Sequence, residues 1–257
     1  MVKWALVLGA SSGFGEACAL ELARNGFDIA GVHLDRRATM ANVERIVNEI
    51  RVLGREALFF NANAADEESR KKVLLALQES GRSVRVLVHS LAFGTLRPFI
   101  GDAPSECLSQ KQLEMTLDVM ANSLVYWAQD LVFGGLMGEG GRIFAMTSAG
   151  STKVWPQYGA VSAAKAALES HCRQLAVECA KRGIAVNAVR AGVTDTPALR
   201  KIPGNEQLIE NALKYNPTGR LTTPQDVAHA IALLSRPEAG FITGNTIGVD
   251  GGEYCVT

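Results

Sequence analysis

Tyr158 and Lys165, in the stretch YGAVSAAK, stand seven residues apart with Ser162 between them. On an α-helix seven residues turn about 700°, roughly 20° short of two full turns, and four turn about 400°. Both spacings put the lysine on the tyrosine's face; the axial separation is about 10.5 Å for seven and about 6 Å for four. A phenol and a flexible, positively charged amine on one face suit acid chemistry. The amine's charge favours tyrosinate, and the phenol donates to an oxygen that gains negative charge. The alternative is a helix-face pair without chemistry. Ser148 precedes Tyr158 by ten residues at the end of an apolar run, where strand capping is one reading.

A second group of residues is suited to phosphate. GASSGFG places Gly9, Gly13 and Gly15 around Ser11, Ser12 and Phe14, between an apolar run and a helical one. Phosphates need close backbone approach and unpaired N–H groups at a helix N-terminus, which glycines permit. A strand–turn–helix at the first such unit is the context of a dinucleotide loop; a purely structural turn is the alternative. The second strand should end at the adenosine ribose, where an acid would read the NAD hydroxyls. His33 stands there, followed by Asp35, Arg36 and Arg37. Two guanidinium groups suit the 2′-phosphate of NADP, so NADPH is expected over NADH. Asp35 opposes that reading, and a solvated polar loop is the alternative.

The elements that must position these residues are legible from periodicity. WALVLGA, FDIAGVHL, EALFFNAN, VRVLVHSLA, GRIFAMTS, IAVNAVRAG and NTIGVDGG read as seven strands, several of them apolar throughout as in a parallel sheet covered on both faces. Helical periodicity separates them, including a long helix from about Gln112 to Met137 and one carrying Tyr158 and Lys165 up to Arg182. Strands alternating with helices predict an α/β fold: a single-domain, Rossmann-type, doubly wound parallel sheet over residues 1–257, with ligands at the strand C-termini. Charges balance at 26 against 26, and 47 % of residues are hydrophobic, ample for a core. Nothing in this balance suggests a nucleic-acid or membrane surface, and no run approaches the roughly 18 apolar residues of a membrane span. The start, MVKWALVLGASSG, reads as a first strand rather than a leader, so a cytoplasmic protein is expected. Cys18, Cys107, Cys172, Cys179 and Cys255 form no metal spacing with the four histidines, and reduced thiols are expected.

In order and spacing, GASSGFG, YGAVSAAK, IAVNAVRAG, TDTP and TGNTIGVDGG resemble the short-chain dehydrogenase/reductase family along nearly the whole chain. HSLAFGTLRPF and the seven-residue Tyr–Lys spacing resemble its enoyl-acyl-carrier-protein reductases, most closely the NADPH-using type III. The resemblance implies conjugate reduction of a trans-2-enoyl thioester, carried on acyl carrier protein or CoA. Tyr158 would meet the thioester oxygen and Lys165 the nicotinamide ribose, and Ser148 would be a third catalytic residue. Ser90, Leu91 and Ala92 would pass the adenosine ribose, Asn63 and Ala64 the adenine, and Ala191, Gly192, Val193 and Thr196 the nicotinamide and pyrophosphate. Val193 would offer its backbone to the carboxamide. Phe93, Trp155 and Leu199 would line an acyl pocket beneath a lid of residues 193–220. Arg200, Lys201 or Lys214 would meet an anionic carrier, unless they are only a solvated face. His89 is expected to be a buried strand-end residue. Met120 replaces the family's relay asparagine, with Asn122 two residues on. A homotetramer is expected from the family and from the apolar run SLVYWAQDLVFGGLM. A ketone or alcohol oxidoreductase, such as a 3-oxoacyl-thioester reductase, is the alternative; a noncatalytic dinucleotide-binding protein is the third reading.

Overall fold

The computed structural model describes residues 3–256; Met1, Val2 and Thr257, the ends of the expected domain, lie outside the described residues. Among the described residues one parallel sheet of seven strands runs in the order β3-β2-β1-β4-β5-β6-β7. The strands are β1 (Trp4–Leu8), β2 (Asp28–His33), β3 (Ala57–Asn61), β4 (Val84–His89), β5 (Arg142–Ser148), β6 (Ala185–Ala191) and β7 (Thr246–Val249). Both faces are covered, which explains the unbroken apolar runs: every residue of β1 is buried. Leu6, Leu8, Leu87, Ala145 and Val186 pack on one face against α3 (Glu67–Glu79), α5 (Ser123–Phe133) and α6 (Gly159–Cys179). Val7, Val86, Phe144 and Val189 pack on the other against α1 (Gly13–Arg24), α2 (Met40–Val52) and α8 (Pro224–Leu234).

The strand order reverses at β1, whose neighbours are β2 and β4. Chain connections leave in opposite directions there, so a crevice opens at the strand C-termini. Leu8, Val32, His89 and Ala145 bring the four central strands to that edge in register. The Gly-rich turn, the loop after β4, the turn after β5 and the segment after β6 all leave from it.

One expected element is different. The long helix from about Gln112 to Met137 is three pieces: α4 (Gln110–Leu117), a π-helical turn (Asp118–Asn122) and α5, which stops at Phe133 before Gly134 and Gly135. The π turn buries Val119, Met120 and Ala121 together, and it re-aims the side chains of α5. A further helix, α7 (Asn205–Tyr215), lies in the polar segment after β6, where the sequence pattern predicts no helix.

No helix among the described residues is long and apolar enough to cross a membrane. Cys18, Cys172 and Cys179 are buried free thiols, and Cys107 and Cys255 are free as well.

Candidate active site

The Gly-rich turn is shaped by backbone approaching backbone. Gly9 has φ +86°, and a Cβ there would run into the Ser90 carbonyl of the β4 end. A Cβ on Gly15 would run into the Gly9 carbonyl. Helices α3, α4 and α8 are capped by the side chains of Asp66, Ser109 and Thr223. Ser12, at the cap position of α1, accepts nothing through its side chain. No side chain therefore covers the start of α1, which follows the Gly-rich turn at the crevice; α2, α5, α6 and α7 likewise lack side-chain caps. Thr196 lies beside Gly13, its methyl 3.6 Å from where a Cβ would stand. Phe14 is half-buried against the core of that face.

At the end of β2 the buried His33 Nδ1 lies 2.9 Å from a carboxylate oxygen of Asp35. Asn61 holds the Asp35 backbone through both its N–H (3.0 Å) and its carbonyl (2.9 Å). Burial raises the Asp35 carboxyl, but hydrogen bonds from Ser11, Thr39 and His33 outweigh it and hold it below its ordinary value. Arg36 and Arg37 are exposed beside it. After β3, the Asn63 side-chain oxygen accepts the Ala65 N–H, and Ala64 is buried. After β4, Ser90 and Leu91 are half-buried, while Ala92 and Phe93 are exposed.

Tyr158 occupies the cap position of α6, and its carbonyl accepts the Ser162 N–H at 2.8 Å. The helical arithmetic of the seven-residue spacing therefore applies from the first turn. The preceding residue, Gln157, has φ +62°, the only non-glycine in the left-handed region among the described residues. That conformation costs roughly 1–2 kcal/mol for an L-residue, and it sets the direction from which Tyr158 enters the site. The tyrosine ring packs against Gly150, close enough to exclude any side chain there. Burial raises the Tyr158 phenol above its ordinary value, and Ser148 partly offsets this. The Ser148 hydroxyl oxygen is itself buried without a hydrogen bond of regular geometry, so its bonding capacity is available to a ligand.

Lys165 is buried, and its Nζ donates to the Met146 carbonyl at 2.6 Å. Burial pushes its pKa down to about 8, with Glu169 opposing. The expected lowering of the Tyr158 pKa by Lys165 is thus corrected: in this arrangement burial dominates the phenol, and the amine is turned toward the sheet. His89 is fully buried at the end of β4, as expected. Its Nε2 lies 2.8 Å from Ser123 Oγ, which donates to the Val119 carbonyl of the π turn. Burial, then the charge of Lys165, push His89 down to about 3, so it stays neutral. Asn122 points away from the site and pairs with His171 on α6 at 3.2 Å.

Trp155 is tied to the segment after β6 rather than free to line a pocket: Nε1 donates to the Pro203 carbonyl at 2.9 Å. Leu199 is half-buried, with its N–H on Thr196 Oγ1 at 3.1 Å. The Val193 N–H, expected for a carboxamide, is held by the Glu253 carboxylate (3.1 and 3.2 Å). Gly192 lies so close to Thr222 and Glu253 that no side chain fits. Arg200 makes a two-pronged pair with Asp195, at 2.8 and 2.9 Å. Among the described residues no group of His, Cys, Asp and Glu is placed to hold a metal ion. Sequence reasoning missed three residues. Gln157 and Glu253 act through a backbone angle and a long-range contact, which carry no local signal. Phe99, against Gly159 at the start of α6, was legible only as one aromatic in HSLAFGTLRPF.

The crevice, its uncapped helix and the Ser–Tyr–Lys group together describe an oxidoreductase site built for a dinucleotide. The family model described as Enoyl-(Acyl carrier protein) reductase matches residues 9–253. The 1-cyclohexenylcarbonyl-CoA reductase of Streptomyces collinus is 34 % identical over 249 residues, covering 96 % of this chain and 85 % of the relative. The 3-oxoacyl-[acyl-carrier-protein] reductase FabG of Vibrio cholerae is 30 % identical over 257 residues, covering 99 % and 98 %. The crystal structure of the enoyl-[acyl-carrier-protein] reductase (NADH) from Aquifex aeolicus superposes with a TM-score of 0.85 at 29 % identity, covering 98 % and 96 %. The chain belongs to the short-chain dehydrogenase/reductase family, whose members are oxidoreductases that bind a nicotinamide dinucleotide.

The buried amine makes a prediction independent of turnover. Its folded pKa, about 8, lies below the ordinary 10.5. The unfolded chain therefore binds more protons between these values, and stability contributed by this group rises with pH across that window. Below about pH 8 the full cost of burying the charge applies, at most about 3 kcal/mol for a shift of this size. Lys165→Met should raise the unfolding free energy at pH 7, and the gain over wild type should shrink toward pH 10.5. Urea titrations at four pH values measure it; a gain that does not change with pH would show that the amine is not desolvated.

Proposed function

We propose that this chain reduces the trans-2 double bond of an enoyl thioester, carried on acyl carrier protein or CoA, with NADPH. The observation that carries the reading is the seven-residue placement of Lys165 behind Tyr158 on α6, with Met120 in the π turn that packs beside it. Gly9, Ser11, Ser12, Gly13, Gly15 and Thr196 would hold the diphosphate, and the bound nicotinamide would supply hydride to Cβ of the enoyl group. Reduction at Cβ puts the reacting oxygen farther from the hydride than ketone reduction does, and a tyrosine displaced along the helix suits that distance. Tyr158, kept protonated by burial, donates to the thioester oxygen as enolate charge develops. Lys165 swings from the Met146 carbonyl to the nicotinamide ribose, a movement its flexible stem permits. Ser148, beside the tyrosine, offers its hydroxyl to the same oxygen or to the phenol. Residues 193–220, with α7, form a lid; Phe93 and Leu199 line its inner side, and Trp155 ties the lid to the turn before Tyr158 through the Pro203 carbonyl.

The competing reading is ketone reduction, favoured by Ser148 and by the 30 % identity to a 3-oxoacyl reductase. Oxidation of NADPH with crotonyl-CoA and with acetoacetyl-CoA separates the two, and the enoyl substrate should turn over faster. Tyr158→Phe should lower kcat on crotonyl-CoA by about 10- to 1000-fold, the scale of losing one oxyanion donor, with little change in NADPH affinity. Lys165→Ala should weaken both. Full activity in Tyr158→Phe would remove the phenol from the chemistry.

NADPH preference rests on the exposed Arg36 and Arg37. Asp35, fixed between His33 and Ser11, favours the opposite preference by offering a carboxylate to a ribose diol. Replacing both arginines by alanine should raise the NADPH KM and leave NADH use little changed; a native protein that uses both cofactors equally would refute the preference.

A cytoplasmic homotetramer completes the reading. Phe133 on α5 and Val177 on α6, 77 % and 75 % exposed, are the apolar side chains those helices would offer to a partner copy. Sedimentation velocity at micromolar concentration should show four chains; a single 27.4 kDa species would end this part of the proposal.

A further inference from the structure

The short turn after β7 is occupied with the site rather than with the sheet. Glu253 is buried, only 7 % exposed. Both its carboxylate oxygens accept the Val193 N–H, at 3.1 and 3.2 Å. The Asn216 amide also reaches Oε2, at 3.4 Å, while donating to the Asp250 carbonyl at 3.0 Å. Asn216 Oδ1 in turn takes the backbone N–H and the hydroxyl of Thr218, at 2.9 and 2.7 Å. Val193 comes two residues after β6, and Asn216 directly after α7: they are the two roots of the segment that contains α7. The next residue, Tyr254, holds the opposite wall. Its hydroxyl pairs with Thr152 Oγ1 at 3.1 Å, on the turn between Ser148 and Tyr158, and the Arg190 guanidinium lies 3.5 Å from its ring centroid.

We propose that Glu253 is a positioning residue: its carboxylate clasps both roots of the 193–220 segment and fixes the resting height of that segment over the crevice. The inference rests on the reading of 193–220 as a lid. A carboxylate withdrawn from water persists only where N–H donors meet it, and here those donors come from the two points about which the lid must turn. With the clasp in place, the Val193 peptide is locked and Thr196 keeps its place beside Gly13 of the Gly-rich turn. Without it, the roots part from each other and the closed lid becomes a minority state, which raises the apparent dissociation constant of whatever the lid covers. The chemistry is untouched, because Glu253 meets no reacting atom.

The test uses the full chain with Glu253→Ala and Glu253→Gln. Glutamine retains an oxygen that accepts the Val193 N–H; alanine does not. Trypsin reports on the lid directly, because Arg200, Lys201 and Lys214 are exposed within it. Well below the unfolding midpoint of each variant, Glu253→Ala should be cut within 193–220 at least about 5-fold faster than wild type, with a matching rise in the crotonyl-CoA KM and the NADPH dissociation constant and kcat within about twofold. Glu253→Gln should restore wild-type values in all of these. A plug that merely stabilises the fold would lower the midpoint and leave lid cleavage and KM unchanged, and that result overturns the proposal. So does Glu253→Gln behaving as alanine does. A wild-type protein inert to crotonyl-CoA overturns the enoyl-reductase reading alone, since the tryptic rate and the affinity for the better-bound of NADPH and NADH still decide the role of Glu253.

Discussion

The close approach of three backbone segments at the reversal of the sheet sets the geometry of everything else. The Gly9 N–H donates to Val32 O at 2.8 Å, and the Ser90 N–H donates to Leu8 O at 2.9 Å. The turn after β1 is thereby bound to the end of β2 on one side and to the end of β4 on the other. α1 can leave this turn only because Gly15 lets its first turn lie on the Gly9 carbonyl. The tightness has a steric consequence. The turn carries no side chains at its narrowest point, and no side chain caps the start of α1, the arrangement that suits an anion at a helix N-terminus.

A second layer of organisation is electrostatic. Lys165, His89 and Tyr158 are buried or nearly so, and burial pushes each toward its neutral form. Lysine and histidine move down and tyrosine moves up, as loss of water requires. The imidazole is held neutral by its surroundings and commits one nitrogen to Ser123. The amine commits one proton to a strand carbonyl. Such a site is held near neutrality by burial rather than by ion pairs.

Most of the fold was legible in the sequence because a sheet covered on both faces writes itself as apolar runs, plainest in β1 and β4 and weakest in the edge strand β7. The π turn was not legible, because one extra residue per turn leaves the apolar periodicity of DVMAN nearly intact while rotating α5 behind it. α7 was hidden by its composition: NEQLIENALKY is amphipathic but comes after a Pro-Gly pair in a polar segment. At the candidate site, GASSGFG and YGAVSAAK announced themselves through spacing. Asp35 did so only as a departure, and its pairing with His33 depends on a strand end that curls back. The contact between Glu253 and Val193 joins residues sixty apart, and nothing local at either position foretells it.

The seven-residue spacing acquires its meaning from the groups at each end of it. Tyr158 is placed by a strained residue before it and by a bare glycine beside it. Both fix the phenol at the very start of α6, where the helix has not yet closed its first turn. Lys165 is two turns deeper, at the level of the β5 end, where it meets Met146 rather than the tyrosine. A lysine at four residues would lie beside the ring; at seven it lies below it, and the space between is bounded by Ser148 and its unbonded oxygen. The two groups are therefore divided along the helix axis, the phenol at the cap of α6 and the amine against the β5 carbonyl. Division of levels separates an acid from a cation on one helix face without moving the sheet that both lie against.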